Sequence, residues 1–444
     1  MKKAGFFLIQ LCVFLGVVAP PASAGEVTDI NYETLTLRLY YEQKWDSLLT
    51  IGEEAIDKGY DYYYMRVRVG EAAFYKQRYV RAVRHFEKAL QFNSGDEYAT
   101  RLLYKSYQYS GRADEARWML RKLPEGLAAD IGRADRKPVL YFEAGPAFTD
   151  HVKQFEKNRQ TGPGTYSEVY LNLNSQYLLA GAECPIGYRM AVNGAVGVMN
   201  FHKSRQVDIA FVDSLAGNYS VFQLETYISP SFNITPRLKI SPAFRLVNVS
   251  LENPLKSDDS LVQQLIGPSG TLIYNDYAYG GEVSYSAPMW AFSGGVWSLK
   301  VDKLDFIQAT GSLFVKPLGN LNLYSTTSLS LRSNQSSNDY IFYQMIGGRI
   351  YHKLWGEAFM SLGDLSGTAE HNLQIIYNAF DKVKSRVGTR LIISINDYLS
   401  LSLRYQVFFR EGTELFFPVD EPDQIFSYNY MNQSITGGIK WNLH

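Results

Sequence analysis

Two periodicities divide the chain. From about Asp29 to Leu123 apolar residues recur at helical spacing. With Tyr63 as position one of a unit, Gly70 falls eighth, Ala82 twentieth, Phe86 twenty-fourth and Ala89 twenty-seventh. Thirty-four residues on, Glu97 starts another unit, with Tyr107 eleventh, Ala116 twentieth and Leu120 twenty-fourth. A fainter unit runs from Asp29 through Leu35, Leu39, Trp45, Leu48 and Ala55. Gly111 breaks the last helix pair and Pro124 ends it. From Pro138 to the end the period is two.

The final segment shows this alternation most clearly: Ile435, Gly437, Ile439, Trp441 and Leu443 interleave with Ser434, Thr436, Gly438, Lys440 and Asn442. The segments from Asn320 to Arg332 and from Leu399 to Arg410 do the same. These are longer than the five or six residues usual for a sandwich strand, and their second face is polar. Short turns are expected near Pro185–Gly187, Thr235–Pro236, Ala287–Met289, Pro317–Gly319, His352–Lys353 and Asn396–Asp397. Longer links are expected near 151–164, 203–217, 253–272, 364–384 and 412–427, and two short ones near 302–303 and 334–338. Tight turns at one end and mostly longer loops at the other are the habit of a transmembrane β-barrel. Counting from Pro138 gives about 14 antiparallel strands, within a range of 12 to 16. Aromatic residues near the expected strand ends (Tyr141, Phe142, Tyr166, Tyr170, Tyr274, Tyr277, Trp441) suit interfacial girdles.

The helical part resembles the tetratricopeptide repeat (TPR), whose period is 34 residues and in which small residues let paired helices approach. The resemblance implies an α-solenoid whose concave face presents Tyr64, Glu71, Phe74, Tyr98, Arg101, Lys105 and Gln108. Such a face serves either as a groove for a protein or saccharide partner or as an ordinary exposed surface.

The start of the chain adds an export signal. Lys2 and Lys3, an apolar stretch from Phe6 to Ala19, and Ala22-Ser23-Ala24 make a cleavable secretory peptide, too short to span a bilayer. Cys12 lies within it, which leaves Cys184 as the only thiol after cleavage and excludes an internal disulfide. Lys+Arg and Asp+Glu each number 44, so removing Lys2 and Lys3 leaves 42 against 44, a net charge near −2. No basic run invites nucleic acid. An aromatic content of 14% without a long apolar run after the signal favours a barrel over a soluble enzyme.

Chemistry is sparse. No His or Cys spacing suits a metal, no glycine-rich phosphate loop is present, and no cofactor is implied. His202, at the expected outer end of a strand, is the best placed catalytic candidate, but no serine motif accompanies it, and the chain is read as not an enzyme. The charges that fall on the polar faces of strands are more informative: Arg237, Lys239 and Arg245 on one, Arg386 and Arg390 on another, Arg404 and Arg410 on a third, with Glu225, Glu282 and Glu357 placed to oppose them. They either select solutes in a water-filled pore or seal the lumen through salt bridges.

Signal, helical repeats and barrel in this order, with Ile376-Tyr377-Asn378 ahead of Arg386-Val387-Gly388, resemble the YaiO-type outer-membrane family. The arrangement implies a signal peptide at 1–24, periplasmic repeats at 25–127, a linker at 128–137 and an outer-membrane barrel at 138–444. Larger proteins of this architecture export cellulose and poly-N-acetylglucosamine, so the resemblance implies a pore or exporter for small solutes or saccharides. The alternative is a non-conducting anchor whose repeats recruit a periplasmic protein. Expected partners are outer-membrane lipid, the repeat-bound protein or saccharide, and the barrel-insertion machinery. Many barrels of this class end in Phe, whereas this chain ends Asn442-Leu443-His444.

Overall fold

The structure is a computed structural model describing residues 31–443, apart from 133–136, 161–163, 211–213, 269, 336, 379–380 and 419–423. The signal segment with Cys12, and the last residue, lie outside the described residues.

Seven helices come first: α1 (Tyr32–Tyr41), α2 (Trp45–Asp57), α3 (Tyr63–Tyr75), α4 (Tyr79–Phe92), α5 (Glu97–Tyr109), α6 (Ala113–Leu120) and α7 (Glu125–Ile131). The starts of α2, α4 and α6 fall at 45, 79 and 113, a spacing of 34. Asn31 caps α1 by accepting from the Thr34 amide, and Asp96 caps α5 through the Ala99 amide. Gly70 lets α3 lie directly on the Phe86 ring of α4, where a Cβ would come within 2.8 Å. Leu48, Leu49, Met65, Val69, Phe86, Ala99 and Leu120 form one continuous buried core through the layer. Helix α7 extends into the segment read as linker. Pro124, which ends the previous periodicity, stands at the N-terminal cap of α7, where its missing N–H costs nothing.

The rest is a closed antiparallel barrel. Its strands are β1 (Val139–Thr149), β2 (Gly164–Ile186), β3 (Met190–Ile209), β4 (Leu215–Asn233), β5 (Leu238–Glu252), β6 (Thr271–Ser286), β7 (Trp290–Val301), β8 (Leu304–Val315), β9 (Leu323–Ser333), β10 (Asn338–Tyr351), β11 (Leu354–Leu362), β14 (Lys382–Ser394), β15 (Leu399–Pro418) and β16 (Gln424–Asn442). The two-residue strands β12 (Ala369–Glu370) and β13 (Ile375–Ile376) form a separate hairpin inside. Fourteen strands close the ring, β1 pairing with both β2 and β16. Closure leaves no open edge, the condition a sheet must meet to cross lipid.

Register sorts the two faces. On β15 Leu401, Leu403, Tyr405 and Phe409 are exposed outward, while Arg404, Gln406, Phe408 and Arg410 line a cavity within. Phe142, Leu178, Val196, Phe244, Phe292, Leu329, Ile346, Leu391, Ile435 and Trp441 continue the exposed apolar wall around the ring. This is the outward band of a transmembrane barrel.

Two predicted long links are mostly strand. β3 runs on to Ile209 and β4 starts at Leu215, and β15 reaches Pro418 before β16 begins at Gln424. Above the lipid both faces of a ribbon meet water, so the alternation that marks a half-buried strand fades while the backbone ladder persists. Two of the other three carry helices, α8 (His151–Asn158) after β1 and α9 (Ser260–Ile266) after β5, and the third carries the β12–β13 hairpin. At the short link near 302–303, Asp302 and Lys303 both have positive φ, 48° and 66°, which suits a two-residue hairpin turn.

Candidate functional site

The connection between β11 and β14, read from sequence as an outer loop, folds into the lumen. Its tip reaches β4 and β5, seven places around a ring of fourteen, and thus the opposite wall. There the Asn372 amide donates to Ser229 Oγ and to the Ser241 carbonyl, both at 3.2 Å. Its Oδ1 accepts from Trp297 Nε1 at 3.1 Å, and its backbone carbonyl accepts from the Tyr227 hydroxyl. Arg245 donates to the carbonyls of Leu373 and Gln374, the latter at 2.6 Å. Gln308 pairs with both backbone groups of Ala369 at 2.8 Å. Three successive non-glycine residues at the tip, His371, Asn372 and Leu373, have φ of 51°, 53° and 67°. Each such residue costs about 1–3 kcal/mol and persists only where its surroundings impose it. The wall imposes it here.

This crossing separates two cavities. The outer one, about 210 Å³, lies against β1–β6 and β14–β16. The inner one, about 430 Å³, lies against β6–β10 and is lined by Ser, Thr and Gln together with Trp297, Phe314, Ile341 and Tyr343, with Glu282 and Lys239 also on its wall.

Of the predicted lumen charges, Arg245, Arg386, Arg404 and Arg410 line the outer cavity. Arg245 is buried in an ion pair with Glu225. Arg386 meets Glu370 of the crossing loop at 2.6 Å. Arg404 and Arg390 share Glu143, at 2.6 and 3.7 Å. Glu357 accepts instead from the Tyr324 hydroxyl, and Glu282 pairs with no cation within 4 Å among the described residues. Arg237 and Lys239 do something else. Arg237 belongs to the β4–β5 turn rather than to a strand, because the two-residue alternation ends at Leu238. Both reach out to the helices.

That contact closes the short-turn end. Lys239 Nζ meets Asp114 Oδ2, and Arg237 Nε meets Glu115 Oε1, both at 3.1 Å. Asn233 adds a bond to Asp114, and Glu115 is also held by Arg112. On the β8–β9 turn, buried Lys316 donates to the Ser110 carbonyl at 2.7 Å. Asn320, Asn322 and Arg349 bond Gln77 in the α3–α4 turn, and Arg189 covers the Trp118 ring. The helical layer therefore lies across the mouth. Burial raises the Asp114 carboxyl, but Lys239 and Arg117 outweigh it and hold the group below the usual carboxylate range. Burial, aided by Arg112, pushes the Lys316 amine down to about 8.

The predicted helical groove is unevenly open. Tyr64 is 66% exposed, and Tyr98 and Lys105 are also exposed. Glu71 is instead buried: it accepts from Tyr40 and Tyr98, and burial raises its carboxyl. Burial follows from the neighbouring tyrosines of α1 and α5, which close over a short acidic side chain. Phe74 packs among Tyr75, Tyr79 and Tyr109. Arg101 is tied to Asp130 of α7 at 2.6 Å, and Gln108 to Tyr104. His202 lies well inside β3 on its outward face, bonded to Ser220, because β3 outruns its predicted end. The missed feature is the crossing loop. Its only sequence signal was a link too polar for the lipid face yet studded with Leu365, Leu373, Ile375, Ile376 and Tyr377.

No protein-family model matches the chain, and no curated protein is similar to it in sequence. Among solved structures it is similar to the Pseudomonas putida toluene transporter TodX, at 8% identity and a TM-score of 0.44, over 73% of this chain and 92% of that one. A Pseudomonas aeruginosa FadL homologue gives 9% identity and a TM-score of 0.40, over 69% and 91%. A bacterial polysaccharide outer-membrane secretin gives 10% and 0.34, over 70% and 99%.

Proposed function

We propose that this chain is an outer-membrane transporter for small polar solutes, saccharides among them, closed at two levels in the form described. The division of a lumen rich in hydrogen-bonding side chains into two cavities by one loop carries this reading. The loop makes an upper closure. The helical layer, read as a TPR solenoid on the periplasmic side, makes a lower one through Asp114, Glu115 and Lys316.

The same closures favour a second reading, in which the barrel never conducts and the exposed tyrosines of the helices recruit a periplasmic partner. Efflux from proteoliposomes loaded with a labelled hexose separates the two. Transport predicts release above that of protein-free vesicles, increased by Asp114→Lys, which breaks the lower contact. Persistent retention by both proteins would reject transport and leave the anchor.

A further inference from the structure

Several cations line the outer cavity. They are Lys203, Arg245, Arg386, Arg404 and Arg410, and Arg390 shares Glu143 with Arg404. Arg245, Arg386 and Arg404 meet Glu225, Glu370 and Glu143. Arg410 stands apart, bonded to the Tyr430 hydroxyl but in no ion pair among the described residues. It lies over the Phe408 ring with no carboxylate within 4 Å among the described residues. Asp381 is turned to Asn172 and Tyr430 instead.

Hydrogen bonding is incomplete at the same place. Seven of the eight buried polar atoms without a partner among the described residues belong to this wall: Nε of Arg245, Arg386, Arg404 and Arg410, Tyr377 Oη, Asn432 Oδ1 and Ser434 Oγ. Buried polar groups are nearly always bonded, to protein, water or a ligand, so this cluster marks where a molecule in the cavity can bond the wall. Register gathers four of these residues into one patch. Ser434 stands opposite Gln406 and Asn432 opposite Phe408, between Arg404 and Arg410. The neighbouring stretch of β1 offers only Gly145, Pro146 and Ala147, which leaves room in front of the patch.

The unmet groups are of two kinds. Guanidinium groups call for an anion, best a carboxylate. The Asn432 carbonyl calls for a donor, which a hydroxyl supplies and a plain carboxylate does not. A volume of 210 Å³ holds about seven waters, or a molecule of about one sugar ring. We infer that the outer cavity is a binding site for a hydroxylated carboxylate of that size, a sugar acid, with its carboxylate on Arg404 and Arg410 and its hydroxyls on Asn432 and Ser434. This rests on the lumen being a solute path, and it names the class of solute.

Calorimetric titration of the detergent-solubilised full chain with galacturonate, galactose and benzoate tests it. Galacturonate should bind at least about tenfold more tightly than either of the others, because galactose lacks the charge and benzoate the hydroxyls. Arg410→Gln, which breaks no ion pair within the protein, should weaken galacturonate about tenfold while leaving the heat-modifiable gel shift of the folded barrel intact. Asn432→Ala should weaken galacturonate and leave benzoate unchanged. Equal binding of all three ligands, no binding of galacturonate, or indifference to Arg410→Gln would overturn the site. Galacturonate binding by a barrel that releases no solute from vesicles would keep the site and reject transport. Efflux without binding would do the reverse.

Discussion

Trp297 on the barrel wall donates its indole Nε1–H to Asn372 Oδ1, 3.1 Å away at the tip of the loop that crosses the lumen. One side chain thus reads whether the loop is seated. The ring reaches that far because Gly295 leaves space beneath it; a Cβ there would stand 2.3 Å from the Trp297 ring.

Removing the Asn372 side chain should unseat the loop. Asn372→Ala deletes bonds to Trp297, Ser229 and Ser241, each worth about 1 kcal/mol. Left-handed strain of about 1–3 kcal/mol at the residue then lacks its counterweight. The variant should show faster hydrogen exchange across 366–378 with the barrel strands unchanged. Unaltered exchange in the loop contradicts the clamp.

Gly295→Val should act from the other side. The added methyls displace the Trp297 ring and break its bond without touching the loop. Trp297 fluorescence should shift to the red, and loop exchange should rise as in Asn372→Ala. A folded variant with wild-type exchange would show that the tryptophan carries none of the clamp.

Charge reversal tests the lower closure. Asp114→Lys places a cation against Lys239, Arg117 and Asn233, and at these partly exposed positions should weaken docking by about 1–2 kcal/mol. Adding Lys239→Asp should recover part of that loss. Cross-linking between a cysteine at Gln77 and one at Asn322 reads the docked fraction, as these side chains are bonded at 3.2 Å. Equal cross-linking in all variants sinks the latch.

Docking should also follow pH, with opposite causes at the two ends. Docked Asp114 titrates below its ordinary value, so the undocked form binds more protons in acid. Docking therefore loosens as pH falls through the carboxylate range. Docked Lys316 titrates at about 8 against an ordinary lysine near 10.4, so docking tightens as pH rises between those values. Lys316→Met should abolish the alkaline gain and leave the acid loss. The same cross-link measured from pH 3 to 10 distinguishes them.

Much of this was legible because periodicity reports on solvent. The 34-residue spacing of Trp45, Tyr79 and Ala113 follows directly from helices that bury one stripe each. The alternation of Leu401 and Leu403 with Ser402 and Arg404 fixes strand and face together. A count of about fourteen strands, within 12 to 16, follows from the turns. What sequence hides is anything that pairs residues far apart in the chain without a periodic signal. Lys239 reads as a lumen charge until Asp114, 125 residues earlier, is seen beside it. Glu71 reads as a groove residue until Tyr40 and Tyr98 close over it. Asn372 belongs to no pattern at all; its role comes from the opposite wall.

The most direct test is single-channel recording in a planar bilayer of the chain with residues 366–378 replaced by a short glycine–serine link. The native protein should be closed most of the time, and the replaced one should insert, keep its heat-modifiable barrel and conduct in steady steps. A replaced protein that inserts and remains as silent as the native one contradicts the claim that this loop closes a solute path.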